Sequence, residues 1–233
     1  MRTDVIKYLF YLKNSIQLKE ALLLKLIDRI ILHRYNRNQG FFFIQIGAND
    51  GISGDPIHKF IIKYNWSGIL VEPVIGLFSR LKENYAGQNN LIFENLAISE
   101  TEETKLFYRI KESNDPGNPS WYDQIGSFLP EVVLKHEHQI PNFKNRLITD
   151  IVPCLSYHGL LCKHGVKKVD LLHIDTEGYD YQIIKMIDIK DVRPDLILFE
   201  YKHLNKTDLV ACEALLKSRG YKLLKTQSDI LAF

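Results

Sequence analysis

The sequence predicts an α/β domain built on a doubly wound, mostly parallel sheet. Short apolar runs that end at glycine or at a carboxylate alternate with helical stretches, the signature of repeated strand–helix–strand units. Two more short runs, YKLLKT (221–226) and DILAF (229–233), close the chain with no helix between them, which places an antiparallel strand at the C-terminal end of the sheet. Composition permits such a domain. The 233 residues are 45% hydrophobic, 11% aromatic and 25% charged, which excludes fibrous, disordered and disulfide-scaffold classes. Thirty Lys+Arg against 28 Asp+Glu leave a net charge of +2, so bulk charge advertises no nucleic-acid partner.

The elements follow in order. Residues 1–38 are expected to be an N-terminal helical extension, with one or two amphipathic helices over 3–34, because the stretch is rich in helix formers and lacks Gly and Pro. Its lysines (Lys7, Lys13, Lys19, Lys25) leave two uses open: packing on the main domain or a second subunit as in a homodimer, or peripheral contact with a membrane surface. No apolar run reaches about 18 residues without a charge, so a spanning helix is not expected. The main domain is placed at 39–233. FFFIQIG (41–47) reads as a strand buried on both faces, followed by a helix at 55–65, the strand GILVEP (68–73), a helix at 74–86 and LIFENLAIS (91–99) as the third strand. After an irregular middle come a helix around Leu155–Lys163, the strand VDLLHID (169–175), a helix over 179–187, the strand DLILFEY (195–201) and a helix at 209–220 that closes on Gly220. The three cysteines, Cys154, Cys162 and Cys212, lack CxxC spacing and read as reduced thiols of a cytoplasmic protein. Residues 110–148 do not fit the alternation. They open with Asn-Asp-Pro-Gly-Asn-Pro, carry Trp121 and Tyr122, and are expected to form a lid or substrate-binding insertion, with a poorly ordered surface excursion as the alternative.

In open α/β sheets ligands bind beyond the carboxyl ends of the strands, so the residues that follow each apolar run matter most. After the first strand comes Gly47-Ala48-Asn49-Asp50-Gly51, a turn of small residues that lets backbone approach a ligand; its spacing is GxxxG, and the GxGxxG pyrophosphate fingerprint is absent. Glu72 ends the second strand and can accept both hydroxyl protons of a ribose, or stand as a surface or capping carboxylate ahead of Pro73. Asn95 and Ala97 in Glu94-Asn95-Leu96-Ala97 can border an adenine, or make a plain turn. The fourth place is His173-Ile174-Asp175-Thr176-Glu177-Gly178-Tyr179-Asp180, where His173, Asp175 and Glu177 share a side if the chain stays extended. Capping by Thr176 or Asp175 explains part of this pattern, but three acidic groups so close repel unless a ligand or cation compensates. His203, just past the fifth strand, can accept a proton near neutral pH. No GxSxG elbow, Walker A sequence or CxxC pair supports a hydrolase, phosphate-loop or zinc reading.

IQIGANDG (44–51), GILVEP (68–73), NLAIS (95–99) and DLLHIDTEGYDYQIIK (170–185), in this order, resemble the FkbM-type S-adenosylmethionine-dependent methyltransferases. The resemblance spans about residues 41–233, and its most specific piece is Ile174-Asp175-Thr176-Glu177-Gly178 coupled to the glycine turn. It implies a Rossmann-like class I methyltransferase fold with a seven-stranded, mostly parallel sheet and an antiparallel C-terminal strand. It also implies S-adenosyl-L-methionine as cofactor and methyl transfer to a hydroxyl of a sugar, glycolipid or polyketide-type acceptor. Carried over, Gly47, Asn49, Asp50 and Gly51 form the cofactor turn, Glu72 is the ribose carboxylate, Asn95 and Ala97 border the cofactor, and Asp175 with Glu177 is the acidic pair after the fourth strand. His173 departs from relatives that carry Lys there. The expected base is His203, with Asp175 as its competitor; alternatively Asp175 and Glu177 hold a divalent cation. Two other classes stay open: a catalytically silent protein that keeps the cofactor fold, and a nicotinamide-dependent oxidoreductase, which the missing GxGxxG disfavours.

Overall fold

The computed structural model describes residues 2–38 and 40–233, with side chains described from residue 16 onward. The elements are α1 (Arg2–Arg37), β1 (Phe42–Ile46), α2 (His58–Tyr64), β2 (Ser67–Val71), α3 (Ile75–Asn84), β3 (Leu91–Glu94), β4 (Ala97–Ile98), β5 (Thr104–Ile110) and β6 (Gly126–Ser127). They continue as α4 (Pro130–Leu134), α5 (Phe143–Arg146), β7 (Leu147–Leu155), α6 (Tyr157–His164), β8 (Leu171–Ile174), α7 (Asp180–Met186), β9 (Leu196–Glu200), α8 (Lys206–Ser218), β10 (Leu223–Lys225) and β11 (Asp229–Ala232). Seven strands form the main sheet in the order β10-β11-β9-β8-β1-β2-β3. Pairing is parallel from β9 to β3, and β11 runs antiparallel to both β9 and β10. The sheet is therefore mixed, with its one reversed strand inserted between β9 and β10.

Alternation along β1 explains why its apolar run is continuous. Ile44 and Ile46 join a core with Leu172, Ile174, Ile197 and Phe199, while Phe43 joins Leu70, Leu171, Leu198 and Trp66 on the opposite face. The first core is covered by α6, α7 and α8, the second by α2 and α1. α1 is one helix, not two. Ile27 and Ile31, one turn apart, are buried in the second core, and Arg34 pairs with Asp195 while Lys59 meets Asp28 at 2.5 Å. The second half of α1 thus belongs to the domain core, whereas Leu18, Leu22 and Leu24 stay exposed.

One expectation fails here. The run 91–99 is not one strand: β3 stops at Glu94, and β4 leaves for a second sheet of order β4-β7-β5-β6. Asn95 makes the break, its Nδ2 donating to the main-chain oxygens of Glu72 and Pro73 at 2.8 and 3.0 Å and so turning the chain off the sheet. The segment 110–148 is ordered structure. Ile110, Ile125, Val133, Ile140 and Phe143 form a separate small core, and Trp121 and Tyr122 pack against it. Tyr122 donates its hydroxyl to Ser113 O at 2.8 Å and lies under the Arg146 guanidinium at 4.7 Å. The aromatic pair is therefore scaffold rather than an exposed cover. β5 and β7, long antiparallel partners from Thr104↔Pro153 to Ile110↔Leu147, were hidden in the sequence by Pro153 and by an exposed face that mixes Thr104 and Thr149 with the apolar pair Leu106 and Ile151.

Candidate active site

A cavity of about 230 Å³ opens at the carboxyl ends of β1, β2, β8 and β9, where a parallel sheet presents its ligand site. The second sheet roofs it with Phe107, Gly126 and Phe128. Phe128 is held edge-on between Phe107 and Tyr179, with ring centroids 5.4 and 5.0 Å away.

One wall is the turn after β1. Gly47 has φ +80°, and a Cβ there would collide with the main-chain oxygen of Asp175, so only glycine lets the β1 and β8 ends approach this closely. Ala48 and Asn49 continue the wall, and Asn49 itself is left-handed at φ 52°. Glu72, 4% exposed, accepts the Asn49 N–H through Oε2 at 2.9 Å and the Val74 N–H through Oε1 at 2.8 Å. These bonds use two of the roughly four acceptor sites of a carboxylate and leave the rest for a ligand. Burial raises the Glu72 carboxyl to about 7, against those two N–H bonds.

The sequence candidates divide. Gly47, Asn49, Glu72, Ala97, Asp175 and Glu177 line the cavity. Asp50, Gly51 and Asn95 do not. Asp50 accepts from the Ile52 and Ser53 N–H groups and from the Ser53 hydroxyl, closing its own turn. A Cβ on Gly51 would run into Tyr85 and Leu81, which makes it a packing glycine against α3. Asn95 acts from behind, fixing the chain after Glu72. His203 also sits behind the wall, its Nε2 3.1 Å from Glu177 and 3.6 Å from Glu200. Both carboxylates line the cavity. His173, Asp175 and Glu177 all line the cavity, although Glu177, left-handed at φ 50°, reaches it from a turn rather than from an extended strand.

The sequence reading passed over Gln45, Asp55, Thr176, Glu200, Phe107 and Phe128, all in the wall. A signal existed for one of them: Gln45 is the single polar residue in the run FFFIQI, and it is 1% exposed.

Among the described residues, eleven buried side-chain polar atoms lack a hydrogen-bond partner, and six belong to this cavity wall: Gln45 Oε1, Asp55 Oδ2, His173 Nδ1, Thr176 Oγ1, Glu177 Oε2 and Glu200 Oε2. Such clustering of unpartnered polar atoms marks a candidate site for a polar ligand. The wall is also acidic. Burial, reinforced by Asp229 and Asp55, raises Asp175; burial with Asp175 and Asp180 beside it raises Glu177 to about 8; burial with Asp175 and Glu177 raises Glu200. Burial lowers His173 to about 4, and burial with Lys202 nearby lowers His203 to about 4. The site thus holds its carboxyls and imidazoles towards their neutral forms and invites a cationic guest.

This strand order and this placement of the cavity define the class I S-adenosylmethionine-dependent methyltransferase fold. The family model of the methyltransferase FkbM domain matches residues 45–223, and the chain belongs to that family. Among solved structures it is similar to the precorrin-6y C5,15-methyltransferase of Geobacter metallireducens GS-15 at 12% identity and TM-score 0.44, over 88% of this chain and 85% of that one. It is similar to the ribosomal protein L11 methylase of Lactobacillus delbrueckii subsp. bulgaricus at 11% and 0.41, over 92% and 77%. The N-terminal domain of human METTL16 in complex with SAH matches at 12% and 0.45, over 91% and 68%. No curated protein matches the sequence. No described helix is long and apolar enough to cross a membrane.

Proposed function

We propose that this methyltransferase transfers the methyl group to a hydroxyl oxygen of a sugar, glycolipid or polyketide-type acceptor. The observation that carries the reading is the set of buried carboxylate oxygens at the ends of β8 and β9, beneath an aromatic roof. S-adenosylmethionine, when bound, supplies a methyl carbon made electrophilic by its positive sulfur. The chain must hold that molecule, orient an acceptor against it, exclude water and take up a proton.

The residues present fit the cofactor. Glu72 has acceptor capacity left for a ribose diol, the glycine turn leaves room for close approach, and the acidic wall suits both a sulfonium and an ammonium. Asp175 lies at the cavity wall, with its affinity for protons raised by burial and by Asp229 and Asp55. It is the better-placed group to receive the acceptor's hydroxyl proton, since His203 is separated from the cavity by Glu177 and Glu200. Phe128 and Phe107 present ring faces and edges suited to the C–H surface of a sugar.

The test is methyl transfer from labelled S-adenosylmethionine to a panel of hydroxyl acceptors, with amine and thiol acceptors alongside. Product formed on hydroxyl compounds supports the reading. Transfer confined to amines or thiols overturns it.

A further inference from the structure

We propose that Glu177, Glu200 and His203 form a binding site for one divalent cation of the Mg²⁺ or Mn²⁺ type at the edge of this cavity. The ion's use in catalysis rests on the methyltransferase reading; its binding does not.

The three side chains come from two turns. Glu177 and Gly178 follow β8 with φ values of 50° and 96°. A left-handed non-glycine residue is strained and persists only where its surroundings over-determine it. Here the buried Ser127 of β6 donates its hydroxyl to Glu177 O at 2.8 Å and holds that conformation. Glu200 ends β9, and the turn closed by the Leu204 N–H on Tyr201 O brings His203 back over it. A Cβ on Gly178 would lie 3.2 Å from Val132 Cγ2 and at ordinary contact distance from His203, and its φ of 96° is one that side-chain-bearing residues rarely adopt.

The meeting point is built like a ligand shell. One ligand atom from each residue lies within 4.8 Å of the others. Glu177 Oε2 and Glu200 Oε2 are buried and have no hydrogen-bond partner. The His203 side chain is 10% exposed, makes no hydrogen bond among the described residues, and aims Nε2 at both carboxylates. An imidazole in a plain ion pair would direct an N–H along the 3.1 Å contact with Glu177; this contact lacks hydrogen-bond geometry. Lys202, the neighbouring cation, is exposed and pairs with neither carboxylate among the described residues. Converging lone pairs without a donor between them repel, and a cation resolves that. Two carboxylate oxygens and one imidazole nitrogen suit a Mg²⁺ or Mn²⁺ ion and leave positions for water or an acceptor hydroxyl.

Such an ion lowers the proton affinity of a hydroxyl that shares it. In the transfer, the hydroxyl oxygen forms its bond to the methyl carbon as the carbon–sulfur bond breaks. The electron pair stays on sulfur, which becomes a neutral thioether, and the hydroxyl proton passes to Asp175. His203 is thereby a ligand rather than the base, and the cation moves from the expected Asp175–Glu177 pair to Glu177–Glu200–His203.

The full chain, stripped with chelator, is titrated with MnCl₂ while free Mn²⁺ is followed by electron paramagnetic resonance. One Mn²⁺ per chain is expected, and Glu200→Gln and His203→Ala should each weaken binding at least about ten-fold. Glu200→Gln keeps the side chain's shape and removes no hydrogen bond made by this carboxyl among the described residues, so without metal it should melt no lower than wild type, and Mn²⁺ should raise the melting temperature of wild type alone. This separates a lost site from a lost fold; if either variant fails to fold, Glu177→Gln gives the same comparison. No binding to wild type at millimolar Mn²⁺, or binding unchanged in the variants, overturns the site. Calorimetry with S-adenosylmethionine on the stripped chain separates the two readings. Cofactor binding without Mn²⁺ binding removes the cation and keeps the methyltransferase reading. Mn²⁺ binding without cofactor binding does the reverse.

Discussion

Glu72 is buried, partly satisfied by main-chain N–H groups, and raised to about 7. Asp175 from β8 pushes it further up and Arg80 from α3 draws it down. A ribose diol donates to the ionised form, so cofactor affinity should increase as pH rises through about 7, and binding below that pH should release protons. Calorimetry in buffers of different ionisation heat measures both. Glu72→Gln should flatten the pH dependence and weaken binding by about 1.5–3 kcal/mol; unchanged affinity would take Glu72 out of the site. Asp175→Asn should abolish turnover while the protein stays folded, because the residue ends a buried strand at the cavity without building the core. Normal turnover in that variant would return the proton-accepting role to another group.

The elements divide the labour between holding and roofing. The roof comes from β5, β6 and the segment before α4, and Phe128 touches both the cavity and the neighbouring rings. Phe128→Ala should therefore raise the Michaelis constant for the acceptor more than it lowers stability. Trp121→Ala should do the opposite, because its ring packs against the small core of 110–148 and stands edge-on to His136 at 5.1 Å. A stability loss of about 2 kcal/mol with the acceptor's Michaelis constant unchanged is the expected result. A raised Michaelis constant with wild-type stability would restore Trp121 to the acceptor surface. In α1, Ile31 is 1% exposed against the sheet, so Ile31→Ala should cost about 2–4 kcal/mol. Chemical denaturation tests whether this helix is part of the domain or an appendage.

At the scale of the whole molecule, the site is a store of buried acid. Burial raises Asp55 from 3.8 to about 6, against bonds from the Ile57 N–H and Gln45 and the charge of His58, and it raises Glu72 from 4.5 to about 7. A folded value above the unfolded one contributes stability that is fully present below about pH 4 and is lost as pH rises through 6 to 7. These two groups should therefore lower the melting temperature of the ligand-free protein between about pH 4 and 7, and Glu72→Gln should reduce that slope. Melting curves across this range check the sign; a slope unaffected by the substitution would mean that Glu72 ionises normally.

The sheet was legible in the sequence because a strand buried on both faces must be apolar throughout, and 42–46, 67–71, 171–174 and 196–200 are nearly so. The glycine turn after β1 was legible for a similar reason: only glycine tolerates the contact that Gly47 makes with Asp175. Local pattern does not encode which partner a strand takes, so β4 was joined to β3, and β5 and β7, each with one exposed face, were missed. Nor does it encode direction. Asp50 and Gly51 stand beside Asn49 in the chain yet face their own turn and α3, while Asp55, further along the same loop, and Glu200, far away in sequence, face the cavity. By itself the sequence determined the class of fold and the strand ends where chemistry gathers, since both follow from local hydrophobicity and glycine. Only the tertiary structure decided which carboxylates meet, because Glu177, Glu200 and His203 come together through one left-handed turn and the parallel pairing of β8 with β9.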